Sequence, residues 1–360
     1  MDVQRHLAEG AFPVVYPNLR DRIFSDLKLK RLMTSVAFLN SNQKKQNVHK
    51  LMKFDKEIFL DCGIFQRGFY KTEFTWEKVS NYREKLIDWY SFLKPDFASS
   101  FDLPCSLDSQ NRIKLKRLEW SIENFKIMNH ALDIPLFLGI NAFSKDEVIL
   151  AAKTINIKLG RTPELIGLGG MVPLMRSSKA QPGLGKLILS MIHMIRTKFP
   201  SSSLHIYGFG DHKWYPLIRL LGASSSDYAG YISIASRGGI LLPGLSEKYI
   251  LKKIVRLRTK KGVTFYTRAD ETLFTKDELQ KLQNCGCPFC RNSDPVLLEF
   301  SREGRIIHNL HVILSENEIV DAYCRENDLE GLRNHVKERF SNEKNDMKNL
   351  ANHVFCLIGK

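Results

Sequence analysis

The stretch 135–170, PLFLGINAFSKDEVILAAKTINIKLGRTPELIGLGG, decides the fold. An apolar run, Pro135–Ile140, leads into an amphipathic segment, Lys145–Ile157, and then into a second apolar run, Leu165–Leu168. Strand, helix and strand in that order form the unit of a parallel sheet. The alternation continues outward, from about residue 33 to 230. The spacing predicts strands at Ser35–Leu39, Glu57–Asp61, Phe97–Phe101 and Leu204–Phe209, and helices at Trp76–Leu93, Arg112–Leu132, Gly185–Phe199 and Trp214–Leu221. In the first helix Val79, Tyr82, Leu86, Trp89, Tyr90 and Leu93 recur at helical spacing. Trp89 and Trp120 read as core residues of their helices. Strand ends carry polar groups or glycines: Asp61, Asp102, Asn141, Gly169 with Gly170, and Asp211. Barrel enzymes build their sites from such strand ends, so the pattern predicts a (β/α)8 TIM barrel rather than an open doubly wound sheet.

The chain has 360 residues, with 54 Lys+Arg against 39 Asp+Glu, a formal charge of +15. Apolar residues make up 43 %, which excludes a mainly disordered chain. There is no run of about 18 apolar residues that would span a membrane, and the start, MDVQRHLAEGAF, does not read as a secretory signal. The cationic excess points to a polyanion, because Lys and Arg near phosphates release counterions. The segment Lys248–Lys261, KYILKKIVRLRTKK, has seven cationic residues and the alternation of a strand or hairpin with a basic face. It suits phosphate contact or a lysine-protected edge strand. An apparently helical tail runs to Lys360.

Seven cysteines, three of them within Cys285–Cys290, do not form a disulfide framework. They read as reduced thiols in a cytoplasmic protein, some holding metal. Cys285-Gly-Cys287-Pro-Phe-Cys290 can turn three thiolates onto one Zn²⁺, with Gly286 and Pro288 shaping the turn. His308 and His311 are the candidates for a fourth ligand; His308 opens the segment HNLHVIL, from whose first turn it could face back. A full Cys/His set leaves no open position, so the site reads as structural.

Asp61 ends an apolar strand, a placement suited to acid/base work or to capping the next turn. Asp102, before Leu103-Pro104, could accept paired N–H bonds from a base edge. Phe65 could sandwich a flipped base or pack in the core. Asp227, in SSSDY after Gly222, reads alone as a turn residue, and Asp108, Asp211 and Asp294 as turn or surface groups.

Together these segments resemble the tRNA-guanine transglycosylase superfamily. Asp61-Cys-Gly-Ile-Phe-Gln66 is similar to its D-S-G-G-F-Q motif and Asp102-Leu-Pro104 to its D-x-P. Gly139-Ile-Asn141 resembles its G-[IV]-x-Q-G strand and Ile166–Met171 its I-G-G-L region. Cys285, Cys287 and Cys290 with His308-Asn309-Leu310 resemble its zinc signature. The likeness runs in the same order from about 35 to 315. It implies a (β/α)8 barrel with an inserted zinc-binding subdomain: 1–245 as the main barrel with the active site, 246–315 as the basic strand region and zinc subdomain, and 316–360 as a helical part closing the barrel.

The activity implied is exchange of guanine in a polynucleotide for a 7-deazaguanine of the preQ0 or preQ1 kind. By this likeness Asp227 is the nucleophile that forms a covalent glycosyl intermediate, and Asp61 the acid/base. Asp102 reads the base edge, Asn141 and the backbone at Gly169 and Gly170 contact its far side, and His308 completes a structural Zn²⁺ site. Departures from the motifs are Cys62 for Ser, Ile64 for Gly, Asn141 for Gln, and Tyr228-Ala-Gly-Tyr231 where the tRNA enzymes read L-P-T-R. They tilt the expectation slightly toward DNA, with tRNA close behind. The competing reading is a catalytically silent nucleic-acid-binding subunit of the same fold. A homodimer or accessory proteins are compatible with either.

Overall fold

Alternation of period two along short apolar strands governs the architecture, because successive side chains point to opposite faces. The computed structural model describes residues 9–17, 27–64, 74–171, 183–242, 247–249, 275–293, 297–298, 300–341 and 345–359. The chain divides into two compact units, one of Met1–Asp21, Leu29–Tyr228 and Val320–Lys360, the other of Arg22–Lys28 and Ala229–Ile319.

The first unit holds eight strands: β1 Gly10–Pro13, β2 Arg31–Ser35, β3 Glu57–Asp61, β4 Phe97–Ser99, β5 Leu136–Asn141, β6 Leu165–Gly169, β7 Ser203–Ile206 and β8 Ser225–Tyr228. They pair in the order β1-β8-β7-β6-β5-β4-β3-β2, every pair parallel. The outer members β1 and β2 meet through a single parallel bridge, Val14 to Met33, with Val15 N–H donating to Met33 O at 2.8 Å. The sheet is a nearly closed barrel. Between its strands lie α1 Val48–Met52, α2 Trp76–Leu93, α3 Asn111–Ala131, α4 Lys145–Leu159, α5 Leu184–Lys198 and α6 Tyr215–Leu220. Thr75 and Ser144 cap α2 and α4 by accepting N–H bonds from Lys78 and Glu147.

One inward residue from each of six strands builds the floor of the barrel: Phe12, Met33, Phe59, Phe97, Phe137 and Leu165 pack as one cluster. His205 on β7 joins them by ring contact, at 4.8 Å from Phe59 and 5.5 Å from Phe137. Their neighbours Leu32, Leu60, Leu138, Ile166 and Leu204 are also buried and occupy the alternate face. Moving two residues on from these floor positions gives the next inward layer, Val14, Ser35, Asp61, Ser99, Gly139 and Gly167, joined by Tyr207 two residues after His205 and by Asp227 two residues after Ser225. The same alternation that fills the floor thus brings the polar residues to the C-terminal mouth.

The helices match the sequence periodicity within a residue or two, but the predicted strands Phe97–Phe101 and Leu204–Phe209 end at Ser99 and Ile206, one predicted strand is displaced, and two strands are added. The predicted strand Ser35–Leu39 is instead Arg31–Ser35, because the Ser35 hydroxyl accepts the Ala37 N–H and winds Val36–Phe38 into a 3-10 turn. β1 and β8 were not apparent, since GAFP is short and SSDY is polar. Trp89 and Trp120 are only half-buried. Trp89 lies under the Lys44 ammonium at 4.1 Å, and Trp120 lies against Trp76 with ring centroids 5.3 Å apart.

The second unit contains α7 Gly230–Ser236, the antiparallel pair β9 Gly239–Leu241 and β10 Glu247–Tyr249, α8 Lys276–Gln283, α9 Pro288–Asn292 and most of α10 Arg302–Arg325. Thr275 and Glu278 close a capping box on α8. Of the basic run, Lys248 and Tyr249 lie in β10, and residues 250–261 are outside the described residues. The tail is helical, with α11 Leu329–Ser341 and α12 Asn345–Leu357 belonging to the first unit. No described helix is long and apolar enough to cross a membrane.

Candidate active site

Asp61 is the last residue of β3, and its Oδ2 accepts hydrogen bonds from Ser35 Oγ at 2.9 Å and Gly63 N at 3.0 Å. Gly63 has φ +74°, and a Cβ there would lie 2.8 Å from the Ala37 nitrogen, so this turn admits only glycine. Burial is the main influence on Asp61. The Ser35 bond opposes it, the charges of Asp102 and Asp227 reinforce it, and the carboxyl is pushed up to about 6. Asp102 and Asp227 therefore share one electrostatic environment with Asp61. A carboxyl near 6 can both give and take a proton near neutrality.

Asp102 lies just beyond β4. Its Oδ2 accepts from Asn141 Nδ2 at 2.7 Å and its Oδ1 from the Cys62 thiol at 3.4 Å. Burial raises its pKa, with the Asn141 and Cys62 bonds working the other way. Room for it comes from Gly139, where a Cβ would stand 2.6 Å from the Asp102 Cβ. Asn141 thus braces Asp102 in this structure. Gly169 leaves space for the Asn141 amide oxygen, which would be 2.9 Å from a Cβ there, and Gly170 turns the chain at φ +84°. Asp61, Asp102 and Asn141 all keep part of their surface open at the mouth.

Asp227 sits on β8 opposite Phe12 of β1. Its Oδ1 accepts from the Gly208 N–H at 2.8 Å and lies 3.2 Å from His205 Nε2. Among the described residues Oδ2 has no hydrogen-bond partner. One oxygen is held and the other is unengaged among the described residues. Tyr207, two residues beyond His205, donates its hydroxyl to Ser99 Oγ at 3.0 Å and lays its ring over Gly167, where a Cβ would fall 2.5 Å from Cε2. Ser35, His205 and Tyr207 were not singled out from the sequence. The available signal was period-two alignment: each lies on the inward face, in register with a floor or site residue. Asp211 accepts the N–H groups of Lys213 and Trp214, a turn role. Phe65 and Asp294 lie outside the described residues.

In the second unit, one ligand atom each from Cys285, Cys287, Cys290 and His308 gathers within 4.8 Å of the others, all four residues buried. His308 Nδ1 is 3.6 Å from the sulfurs of Cys285 and Cys287 and 3.4 Å from that of Cys290. His308 Nε2 is 2.6 Å from Leu241 O, so the ring donates its proton there and turns the Nδ1 lone pair to the thiols. Asn309 clamps the same strand, accepting from Leu241 N and donating to Gly239 O. This donor set can hold a metal ion. His308 lies well inside α10 rather than in its first turn, because the helix begins at the charged segment Arg302-Glu-Gly-Arg305.

Fold and site define a class: a parallel (β/α)8 barrel with a carboxylate-lined C-terminal mouth, in a chain that also carries a buried three-cysteine, one-histidine cluster. No family model matches the chain. It is 24 % identical, over 88 % of its length, to a tRNA-guanine(15) transglycosylase of Methanocaldococcus jannaschii. It is 22 % identical over 88 % of its length to that of Sulfolobus acidocaldarius, and 23 % identical over 84 % to that of Methanococcus aeolicus. All three relatives carry the name tRNA-guanine(15) transglycosylase, and the likeness to each is of low identity over most of this chain. The matched chain spans 46 %, 59 % and 44 % of those relatives, about half their length.

Proposed function

We propose that this chain is a guanine transglycosylase acting on a polynucleotide. The observation that carries the reading is the meeting of Asp61, Asp102 and Asp227 in one barrel mouth, with Asp61 near 6 and one Asp227 oxygen unengaged. Chemistry on a base needs that base extruded into a concave site. Asp227 Oδ2 attacks the sugar C1′ while the C1′–N bond breaks and its electron pair leaves with guanine. Asp61 supplies the proton to the departing base. The incoming base, a 7-deazaguanine, then gives a proton to Asp61 and attacks C1′, and the ester bond breaks with its pair returning to Asp227. Two carboxylates divide nucleophilic and acid/base work as in retaining glycosidases. Asp102, braced by Asn141, accepts the N–H edge of the base, and Gly169 and Gly170 shape the facing wall.

The names of the relatives favour tRNA as the polymer, and the +15 charge suits any nucleic acid. Cys285, Cys287, Cys290 and His308 would hold one Zn²⁺ in a structural role, since four protein ligands leave no open position for a substrate.

The test is incorporation of labelled guanine by the purified chain into tRNA transcripts and, in parallel, into single- and double-stranded DNA. Exchange into tRNA is expected, together with its loss in Asp227→Asn. Exchange confined to DNA would transfer the activity to that polymer. Undiminished exchange by Asp227→Asn would remove Asp227 from the chemistry.

A further inference from the structure

His205 is fully buried, yet it lies directly behind Asp227. Its ring is caged by Phe12, Phe59, Phe137 and Tyr207, with centroids 4.7 to 6.2 Å away. Among the described residues two polar atoms face its nitrogens: Ser225 Oγ at 2.8 Å from Nδ1, and Asp227 Oδ1 at 3.2 Å from Nε2. A hydroxyl can donate or accept, whereas an ionised carboxylate only accepts. With hydrogen on Nε2 both contacts are satisfied, the Ser225 O–H donating to Nδ1 and the Nε2–H donating to Asp227. With hydrogen on Nδ1 alone, a ring lone pair would face the carboxylate. A buried polar group in an apolar cage is expensive unless it is bonded, and this relay bonds both nitrogens.

We infer that His205, aligned by Ser225, is a positioning residue for Asp227: its Nε2–H holds Oδ1 so that Oδ2 faces the sugar, and it favours release of the carboxylate when the ester breaks. The inference rests on the nucleophilic role proposed above for Asp227. In the covalent intermediate Oδ2 is bonded to C1′ and Oδ1 is an ester carbonyl, a weak acceptor. When the incoming base attacks C1′, the Oδ2–C1′ pair returns to the carboxylate and charge redevelops on Oδ1. A preorganised donor at that atom is worth most as the charge appears. Gly208 N–H is one such donor, fixed by the backbone, and His205 is the second.

The test compares His205→Phe, which keeps a ring in the cage without the N–H, with His205→Gln, whose amide restores a donor. Both are assayed by guanine exchange and by the fraction of protein trapped as a denaturation-stable adduct with the polynucleotide. For His205→Phe we expect exchange about 10- to 100-fold slower, KM for guanine little changed, and a larger adduct fraction than wild type because discharge is slowed. His205→Gln is expected to reverse both changes in part. Wild-type exchange by His205→Phe would overturn the inference, and so would parallel loss of exchange and adduct, the mark of a merely structural role. Should His205→Phe fail to fold, Ser225→Ala carries the test: a raised adduct fraction supports the relay and unchanged kinetics defeat it. An Asp227→Asn control separates the two claims. If it is inactive while His205→Phe is normal, only the positioning role falls; if it is active, the nucleophile assignment itself falls.

Discussion

Asp61 is held in a state that costs the fold something. Its pKa is raised from 3.8 to about 6, chiefly by burial, so the native state binds this proton more tightly than the unfolded chain does. The sign follows from linkage: ionised Asp61 destabilises the native state above pH 6, and the penalty disappears as pH falls toward 4. A rise of that size corresponds to about 3 kcal/mol. Asp61→Asn keeps an oxygen for the Ser35 and Gly63 donors and removes the charge. It should be up to about 3 kcal/mol more stable than wild type at pH 8, with the gap closing between pH 6 and 4, while exchange is lost. Urea titrations at several pH values check this, and equal stability at pH 8 would mean the burial penalty is not realised. Residues of this kind are partly legible in sequence. Asp61 stands out because a carboxylate ends an apolar strand. Asp227 does not, because SSSD reads as a turn, and only the family likeness marks it. His205 is silent, since a histidine within LHIY gives no hint that Ser225 and Asp227 bracket it.

At the scale of elements, β5 and β6 contribute absence: Gly139 and Gly167 are gaps into which Asp102 and Tyr207 lean. Gly167→Ala would drive a methyl into the Tyr207 ring, and the backbone on one side and the Ser99 bond on the other leave the ring little room. A loss of about 1 to 3 kcal/mol is expected, together with weaker exchange. Thermal unfolding and the exchange assay measure both, and a variant with wild-type values in each would show that the ring can give way. Helices were readable because their apolar positions recur every third or fourth residue over many turns. Of the strands shorter than five residues, β4 and β7 were readable as apolar runs and β1 and β8 were not, and β2 slipped because its inward residues, Met33 and Ser35, do not form the apolar run that Val36–Leu39 does. Tertiary pairing, not local pattern, decides such segments.

For the whole molecule, the cysteine–histidine cluster belongs to one unit and the carboxylates to the other. Binding energy of a structural metal is folding energy. Strong chelation should therefore strip hydrogen-exchange protection from 275–319 before it does so from the barrel strands, and His308→Ala should lower zinc content from about one equivalent. Loss of protection throughout at the same chelator dose would mean that the two units unfold together. Within the barrel, β1 and β2 are joined by one bridge where the other neighbours share longer ladders. That joint lies on the short arc from Asp227, on β8, to Asp61, on β3. Like the gap in a split ring, it is where the circumference is least fastened: parting the strands there would cost a single bridge, whereas anywhere along the arc from β3 through β7 it would cost a ladder.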